Sequence, residues 1–420
     1  MKGGSNTEMK KEKKKEGAGL VPRLRFPEFR DAGEWEEKRL GDVCLINPAR
    51  NELPDKFVYI DLESVESGKL LQKKIIKKKD APSRAQRVLV DNDIIFQVVR
   101  PYQKNNYFCK FDDLYNYVAS TGYAQLRSFD ISLFLFQVIH TDLFVLKVIE
   151  KCTGSNYPAI NSSDLSNIKV TIPKPSEQQK IADCLSSLDD LINAQQEKIE
   201  SLKKHKKGLM QQLFPTEGSK VPRLRFPEFR DAGEWEEKRL GEIIEVLMCK
   251  RVLKHETSAT GDIPFYKIGT FGKTPDSFIS KELFNNYKNK YPFPKTGEIL
   301  ISAAGTIGRT VIYDGKPAYF QDSNIVWMSN SEVSLKNVFL YFYFNIIKWN
   351  TEDTTISRLY NNNIRGMLIY VPKPPEQQKI ADCLSSLDDL INAQQEKLES
   401  LKNHKKGLMQ QLFPSSRDIQ

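Results

Sequence analysis

Cationic, amide, hydroxyl and aromatic side chains gather in a few polar stretches of this chain, and these are where chemistry is sought first. One set holds Lys73 and Lys74, the further lysines Lys77, Lys78 and Lys79, then Arg84 and Arg87, then the run RPYQKNNY with Arg100, Tyr102, Lys104 and Asn105. Ser120, Thr121, Asn156 and Tyr157 add short polar groups and a ring to it. A second set holds Ser302, Thr306 and Arg309, then Gln321, Ser323 and Asn324, then Arg358, Tyr360 and Asn361. Cations meet phosphates, while amides and hydroxyls meet base edges, so this mixture in loops is the composition of a surface that touches nucleic acid. Each stretch alone has a plainer use, because lysine runs are usually solvated and Asn-rich loops usually make turns.

Catalytic signatures do not accompany these clusters. GTFGKT at 269–274 ends like a phosphate loop, but Lys267 stands where that loop requires glycine. There is no G-x-G-x-x-G, G-x-S-x-G or H-E-x-x-H pattern. The four histidines are dispersed and the six cysteines show no C-x-x-C pairing, so neither a metal site nor a disulfide framework is expected, and the cysteines read as reduced cytoplasmic thiols. Glu36, Glu37, Asp189 and Asp190 fall on repeated, helix-like segments and read as solvated faces or partner contacts rather than acid–base groups, with the Asp189-Asp190 pair best read as exposed helix surface. The formal charge of +9 permits an anionic partner, although the lysine-rich first twenty residues supply about a third of it. The most apolar run, Ile131 to Ile149, is interrupted by Gln137, His140, Asp142 and Lys147, and reads as one buried helix rather than a membrane span.

The elements that must position the polar clusters come from a repeat. VPRLRFPEFRDAGEWEEKRLG at 21–41 returns unchanged at 221–241, and 173–215 returns at 372–414 with three differences. The second segment carries apolar residues at coiled-coil spacing. In the first copy the seam runs through Leu185, Leu188, Ile192, Ile199 and Leu202, and in the second through Leu384, Leu387, Ile391, Leu398 and Leu401. Polar Gln195 and Lys206, repeated as Gln394 and Lys405, interrupt it. Taken alone, either pattern fits an amphipathic helix lying on its own domain. Near identity favours pairing of the two, since helices facing unrelated domains have no reason to match. Pro173 and Pro175 set the helix start, Ser176 with Gln179 reads as a capping box, Pro215 and Pro414 end the helices, and Gly208 and Gly407 are possible weak points.

Between leader and helix, Asp42–Ile172 and Glu242–Val371 differ almost throughout yet share a layout of short strands followed by an apolar helix, near Leu133–Ile149 and Leu335–Trp349 respectively. Two unlike middles on matching frames suit a reader of a non-palindromic duplex site. A protein-only scaffold and a self-sufficient nuclease remain as alternatives.

LRFPEF…GEWEEKRLGD, DIIFQVVRPYQKN, GSNYPAINSSDLSNIKVTIPKPSEQQKIA and RLYNNNIRGMLIYVPKPPEQQKIA together resemble the DNA-specificity subunit of a Type I restriction-modification system. The resemblance implies an α+β chain: two α/β target-recognition domains separated by a pair of long antiparallel coiled-coil helices, as a pseudo-twofold internal repeat. The expected layout is a disordered basic tail at 1–20, domains at 21–172 and 221–371, helices at 173–215 and 372–414, a linker at 216–220 and a tail at 415–420. It further implies a non-catalytic subunit that binds double-stranded DNA and two methyltransferase subunits, with restriction subunits in the full complex. S-adenosylmethionine, ATP and magnesium are then expected on those partners.

Overall fold

The structure, a computed structural model, describes residues 20–49, 52–347, 349 and 358–414. The expected tails at 1–20 and 415–420 lie outside these apart from Leu20, as does part of the segment leading to Trp349. The chain forms two compact units, one built from residues up to Gln196 together with those from Lys397 onward, the other from Glu197–Glu396. The unit boundaries therefore cut through the long helices instead of falling at their ends.

In unit one, every strand of the two four-stranded sheets carries β-branched or aromatic residues. One sheet has the order Lys74–Lys77, Lys56–Ile60, Asn116–Ser120, Ala85–Leu89, and a second has the order Cys44–Ile46, Tyr123–Ser128, Ile94–Gln97, Tyr107–Phe108. Alternation along Ile94–Gln97 joins two cores, since successive side chains leave opposite faces. Ile94 and Phe96 pack with Trp35, Phe134 and Phe144, whereas Ile95 packs with Val58, Tyr117 and Tyr123. Unit two repeats the device: Ile299 and Ile301 face Trp235 and Phe339, and Leu300 faces Phe265, Tyr319 and Trp327. Its sheets have the orders Glu245–Leu247, Ile325–Ser329, Ile299–Ser302, Thr310–Ile312 and Phe278–Ile279, Ile263–Tyr266, Tyr319–Phe320.

Three local expectations are corrected. Glu36 and Glu37 are not helical: they lie on the strand Glu36–Arg39, which pairs antiparallel with Lys169–Ile172. The single helix near Leu133–Ile149 is two, Ser132–Val138 and Asp142–Lys151, because the Thr141 hydroxyl accepts from the Phe144 amide at 3.3 Å and caps a new start. In unit two the corresponding helix is the shorter Asn337–Phe344. Among the described residues no single helix is long and apolar enough to cross a membrane, and the apolar pair in unit one is bent by 69°.

The long helices run Pro175–Leu213 and Pro374–Leu412, 39 residues each, or about 58 Å. Both pass unbroken through Gly208 and Gly407 and stop before Pro215 and Pro414. The capping box is not formed: Gln179 donates to Asp183 at 2.7 Å. Proline instead occupies the first turn, where its missing N–H is not needed, and Gln178 and Gln377 donate to the Pro173 and Pro372 carbonyls.

In each unit the start of one helix runs beside the end of the other. Ile181 and Leu185 share a core with Leu412 and Phe413 in unit one, as Ile380 and Leu384 do with Leu213 and Phe214 in unit two. Every seam position named above, from Leu185 to Leu202 and from Leu384 to Leu401, is buried or partly buried. Asp189 is not idle surface. Both of its carboxylate oxygens accept from Lys405, at 2.6 and 2.7 Å, and Asp388 does the same with Lys206 at 2.5 and 2.6 Å. The lysines within the seam are thus matched to fixed carboxylates, which sets the register of the two helices in each unit.

The repeated leader fastens this frame. Arg25 grips Glu177 through two hydrogen bonds of 2.7 and 2.6 Å, and the Leu24 amide donates to Gln411 of the second helix at 2.9 Å. Arg225, Glu376, Leu224 and Gln212 repeat the arrangement.

Candidate nucleic-acid interface

In unit one the strand Ile94–Gln97 leads into the RPYQKNNY run, and the chain turns at Arg100 with a φ of +54°. A bulky non-glycine residue keeps that left-handed conformation only where its surroundings impose it. The Arg100 amide donates to the Pro158 carbonyl at 2.8 Å, Val99 bridges Ala159, and the guanidinium carbon lies 4.3 Å from the centre of the Tyr157 ring. Asn156, Tyr157 and Tyr102 are exposed beside it. Backbone bonds from Val98 to Gly122 and from Thr121 to Arg84 bring those residues to the same edge. Arg87 faces Ala119 on the adjoining ladder.

Other expected contacts have internal work. Lys104 donates to the His140 carbonyl at 2.9 Å and to Asp142 at 2.8 Å, and Asn105 accepts from the Ser67 amide at 3.2 Å. Ser120 is buried and accepts from the Gly122 amide. Lys73 pairs with Asp113 at 2.6 Å, which raises its pKa, and Lys74 stands 4.0 Å from Asp61. These groups shape the edge on which Arg84, Arg100, Tyr102, Asn156 and Tyr157 are presented.

Unit two builds the equivalent edge from different residues. Three loops meet at the end of Ile299–Ser302: the Ala303 amide donates to Asn324, the Leu359 amide donates to Ala303, and Ala304 bridges Arg358. Ser302 is buried, and its hydroxyl donates to the Thr306 carbonyl at 2.5 Å while accepting from the Arg309 amide at 2.9 Å, so it folds the loop. Gln321 likewise accepts from the Ile268 amide at 2.9 Å. Arg309 donates to the Phe271 carbonyl. Arg358 donates to the Ser323 carbonyl, at a residue whose φ is +57°, and its guanidinium carbon lies 5.9 Å from the Tyr360 ring centre. Thr306, Tyr360 and Asn361 are exposed around it.

The fold adds residues that the sequence reading passed over. The glycine-rich loop excluded as a phosphate binder lies against Arg309 and Gln321, bringing Lys267 and Lys273 to this edge; a positive φ of 71° at Gly272 permits the turn. Arg251, two-thirds exposed, joins through Asp322 at 2.8 Å. The available signal was the lysines flanking Gly269 and Gly272. Among the described residues no group of three or more His, Cys, Asp or Glu side chains could hold a metal ion. Burial pushes the Cys44 thiol up to about 12, a poor nucleophile.

Behind the unit-one edge, the His140 ring braces the RPYQKNNY loop through Asn106. Its Nδ1 lies 2.7 Å from the Phe136 carbonyl, which can only accept, so the proton sits there and Nε2 accepts from Asn106 at 3.3 Å. Burial, together with nearby Lys405 and Lys104, lowers the imidazole pKa to about 4 from 6.5. The unfolded chain therefore binds this proton more readily, and the stability held above pH 6.5 declines as pH falls toward about 4. Denaturant unfolding should show that slope in the parent and a shallower one in His140→Gln; equal slopes would contradict the assignment.

A family model described as Type I restriction modification DNA specificity domain matches residues 32–204 and again 232–403. A putative type I restriction enzyme specificity subunit of Haemophilus influenzae is 43% identical over 241 residues, 57% of this chain and 61% of that relative, so the match spans less than two thirds of the relative's length. A type I restriction enzyme specificity subunit of Methanocaldococcus jannaschii is 27% identical over 418 residues, 93% of each chain. A solved structure addressing complex assembly and conformational transition of the type I R-M system superposes with a TM-score of 0.56 at 25% identity, covering 91% of this chain and 98% of the other.

Proposed function

Because the chain belongs to the Type I restriction modification DNA specificity family, we propose that its two units each read one half of a bipartite, asymmetric duplex site. The observation that carries this reading is the pair of dissimilar edges on nearly identical frames: Arg84, Arg100, Tyr102 and Tyr157 in one unit, Arg309, Arg358, Tyr360 and Asn361 in the other. Matching frames set like geometry, and unlike loops discriminate different half-sequences. The long helices space the readers and receive two methyltransferase subunits, with restriction subunits joining in the full complex. The chain is itself non-catalytic and acts in the cytoplasm. S-adenosylmethionine, ATP and magnesium belong to the partners.

Phosphate contacts release counterions, so affinity for a duplex should fall steeply with salt, with a logarithmic slope of about −0.9 per phosphate neutralised. Fluorescence titration of the assembled complex with duplex DNA from about 50 to 200 mM salt should lower affinity by about a hundredfold or more. An affinity indifferent to salt and to competing polyanion would favour a protein-only scaffold instead.

A further inference from the structure

Several arginines that the fold holds in place give their guanidinium an internal acceptor. Arg25 and Arg225 hold Glu177 and Glu376, Arg127 holds Asp93, and Arg309 and Arg358 each donate a terminal N–H to a loop carbonyl. Arg100 departs from this pattern. Among the described residues no acceptor engages its guanidinium: Nε is buried without a hydrogen-bond partner, and the two terminal nitrogens are not enclosed with it.

Arg100 is nevertheless held from several sides. Its backbone takes the left-handed φ of +54°, which costs energy that the surroundings must supply. The Arg100 amide donates to the Pro158 carbonyl at 2.8 Å, and its carbonyl accepts from the Gln103 amide at 3.0 Å. Buried Gln97 ties down the rest of the loop: its side chain donates to Gln103 at 2.9 Å, and its amide donates to the Asn106 side chain at 2.9 Å. The Tyr157 ring, 4.3 Å from the guanidinium carbon, fixes the side chain. The result is a cation with its Nε turned inward and two terminal N–H groups left for a ligand.

We propose that Arg100 selects a guanine in the half-site of unit one, an inference that rests on the reading of half-sites above. A phosphate is met as well by a flexible lysine, whereas a planar fork held in place matches a ligand with two acceptors side by side. Among the bases only guanine offers that on its major-groove edge, through O6 and N7. Adenine sets a donor beside N7, cytosine presents a donor, and thymine has one acceptor next to a methyl group. Tyr157 is then a positioning residue, which orients the fork without reading the base itself. Unit two has no counterpart, because Arg309 and Arg358 already share their terminal N–H groups with carbonyls.

The test titrates the assembled complex with duplexes carrying its own methylated motif, the unit-one half being the one that changes when Asp42–Ile172 is exchanged. At one guanine of that half, replacement by adenine should weaken binding of the parent about tenfold or more, and 7-deazaguanine, which lacks the N7 acceptor, should also weaken it. Arg100→Ala should bind all three duplexes alike. Arg100→Lys keeps the charge but not the fork, so it should retain more overall affinity and still lose the preference. Tyr157→Leu should blunt the preference at that position alone, and Tyr157→Phe should keep it. A half-site without guanine, or a parent indifferent to 7-deazaguanine at every guanine of that half, would overturn the assignment. So would an Arg100→Ala loss that is equal on every duplex, which would make Arg100 a backbone contact. A parent complex with no preference among duplex sequences would instead reject the reading of half-sites itself.

Discussion

Arg25→Ala should destabilise unit one by about 3–5 kcal/mol, the range for removing one partner of a buried ion pair. The Arg25 and Glu177 side chains are only 7% and 1% exposed, and the guanidinium also donates to the Gly33 carbonyl at 2.6 Å. Removing it strands a carboxylate in the first turn of the long helix and detaches the leader from the frame. Glu177→Gln added to Arg25→Ala should recover part of the loss, because the uncompensated charge is then gone. Denaturant unfolding measures both effects. Equal stability of Arg25→Ala and the parent chain would show that the leader does not fasten the frame.

A smaller loss, about 1–3 kcal/mol for leaving buried donors without their acceptor, is expected for Asp93→Ala, which acts on the reader rather than its mount; the Arg127 side chain, 36% exposed, can turn to water. Asp93 is fully buried. Its carboxylate accepts two bonds from Arg127, at 2.8 and 2.9 Å, one from Gln125 at 2.7 Å, and one from the Val90 amide at 2.8 Å. Alanine removes this acceptor from the Val90 amide and the Arg127 guanidinium immediately before Ile94–Gln97, the strand that delivers Arg100, while Gln125 keeps the Val88 carbonyl at 2.9 Å. Stability and duplex affinity should therefore fall together. Arg100→Ala, by contrast, should lower affinity while leaving the unfolding midpoint close to that of the parent chain. A stable Asp93→Ala variant with full affinity would contradict this support role.

The frame was legible in the sequence because its signals are local and occur twice. The heptad seam is a spacing, and 39-residue helices follow from it. The strands were legible from β-branched runs such as Ile94-Ile95-Phe96, although not the use of both faces, which depends on what packs there. The break after Val138 had its own cue, a Thr141-Asp142 start inside an apolar run, but continuous hydrophobicity outweighed it. The reading edges were less legible. Nothing local distinguishes Ser302, which folds a loop, from Thr306, which is exposed, because hydrogen bonds to Thr306 and Arg309 decide the matter. Lys104 and Asn105 are likewise claimed by His140, Asp142 and Ser67, partners brought close only by the fold. Arg25 and Glu177 are far apart in the chain, and their shared recurrence as Arg225 and Glu376 was the cue that could have paired them.

The division of labour between the two units is tested most directly by exchanging Asp42–Ile172 for the corresponding middle of another specificity subunit and mapping methylated bases across the genome of cells carrying the parent or exchanged chain. One half of the methylated motif should change while the other half stays the same. An unchanged motif, or a change in both halves, would contradict the assignment of one half-site to each unit.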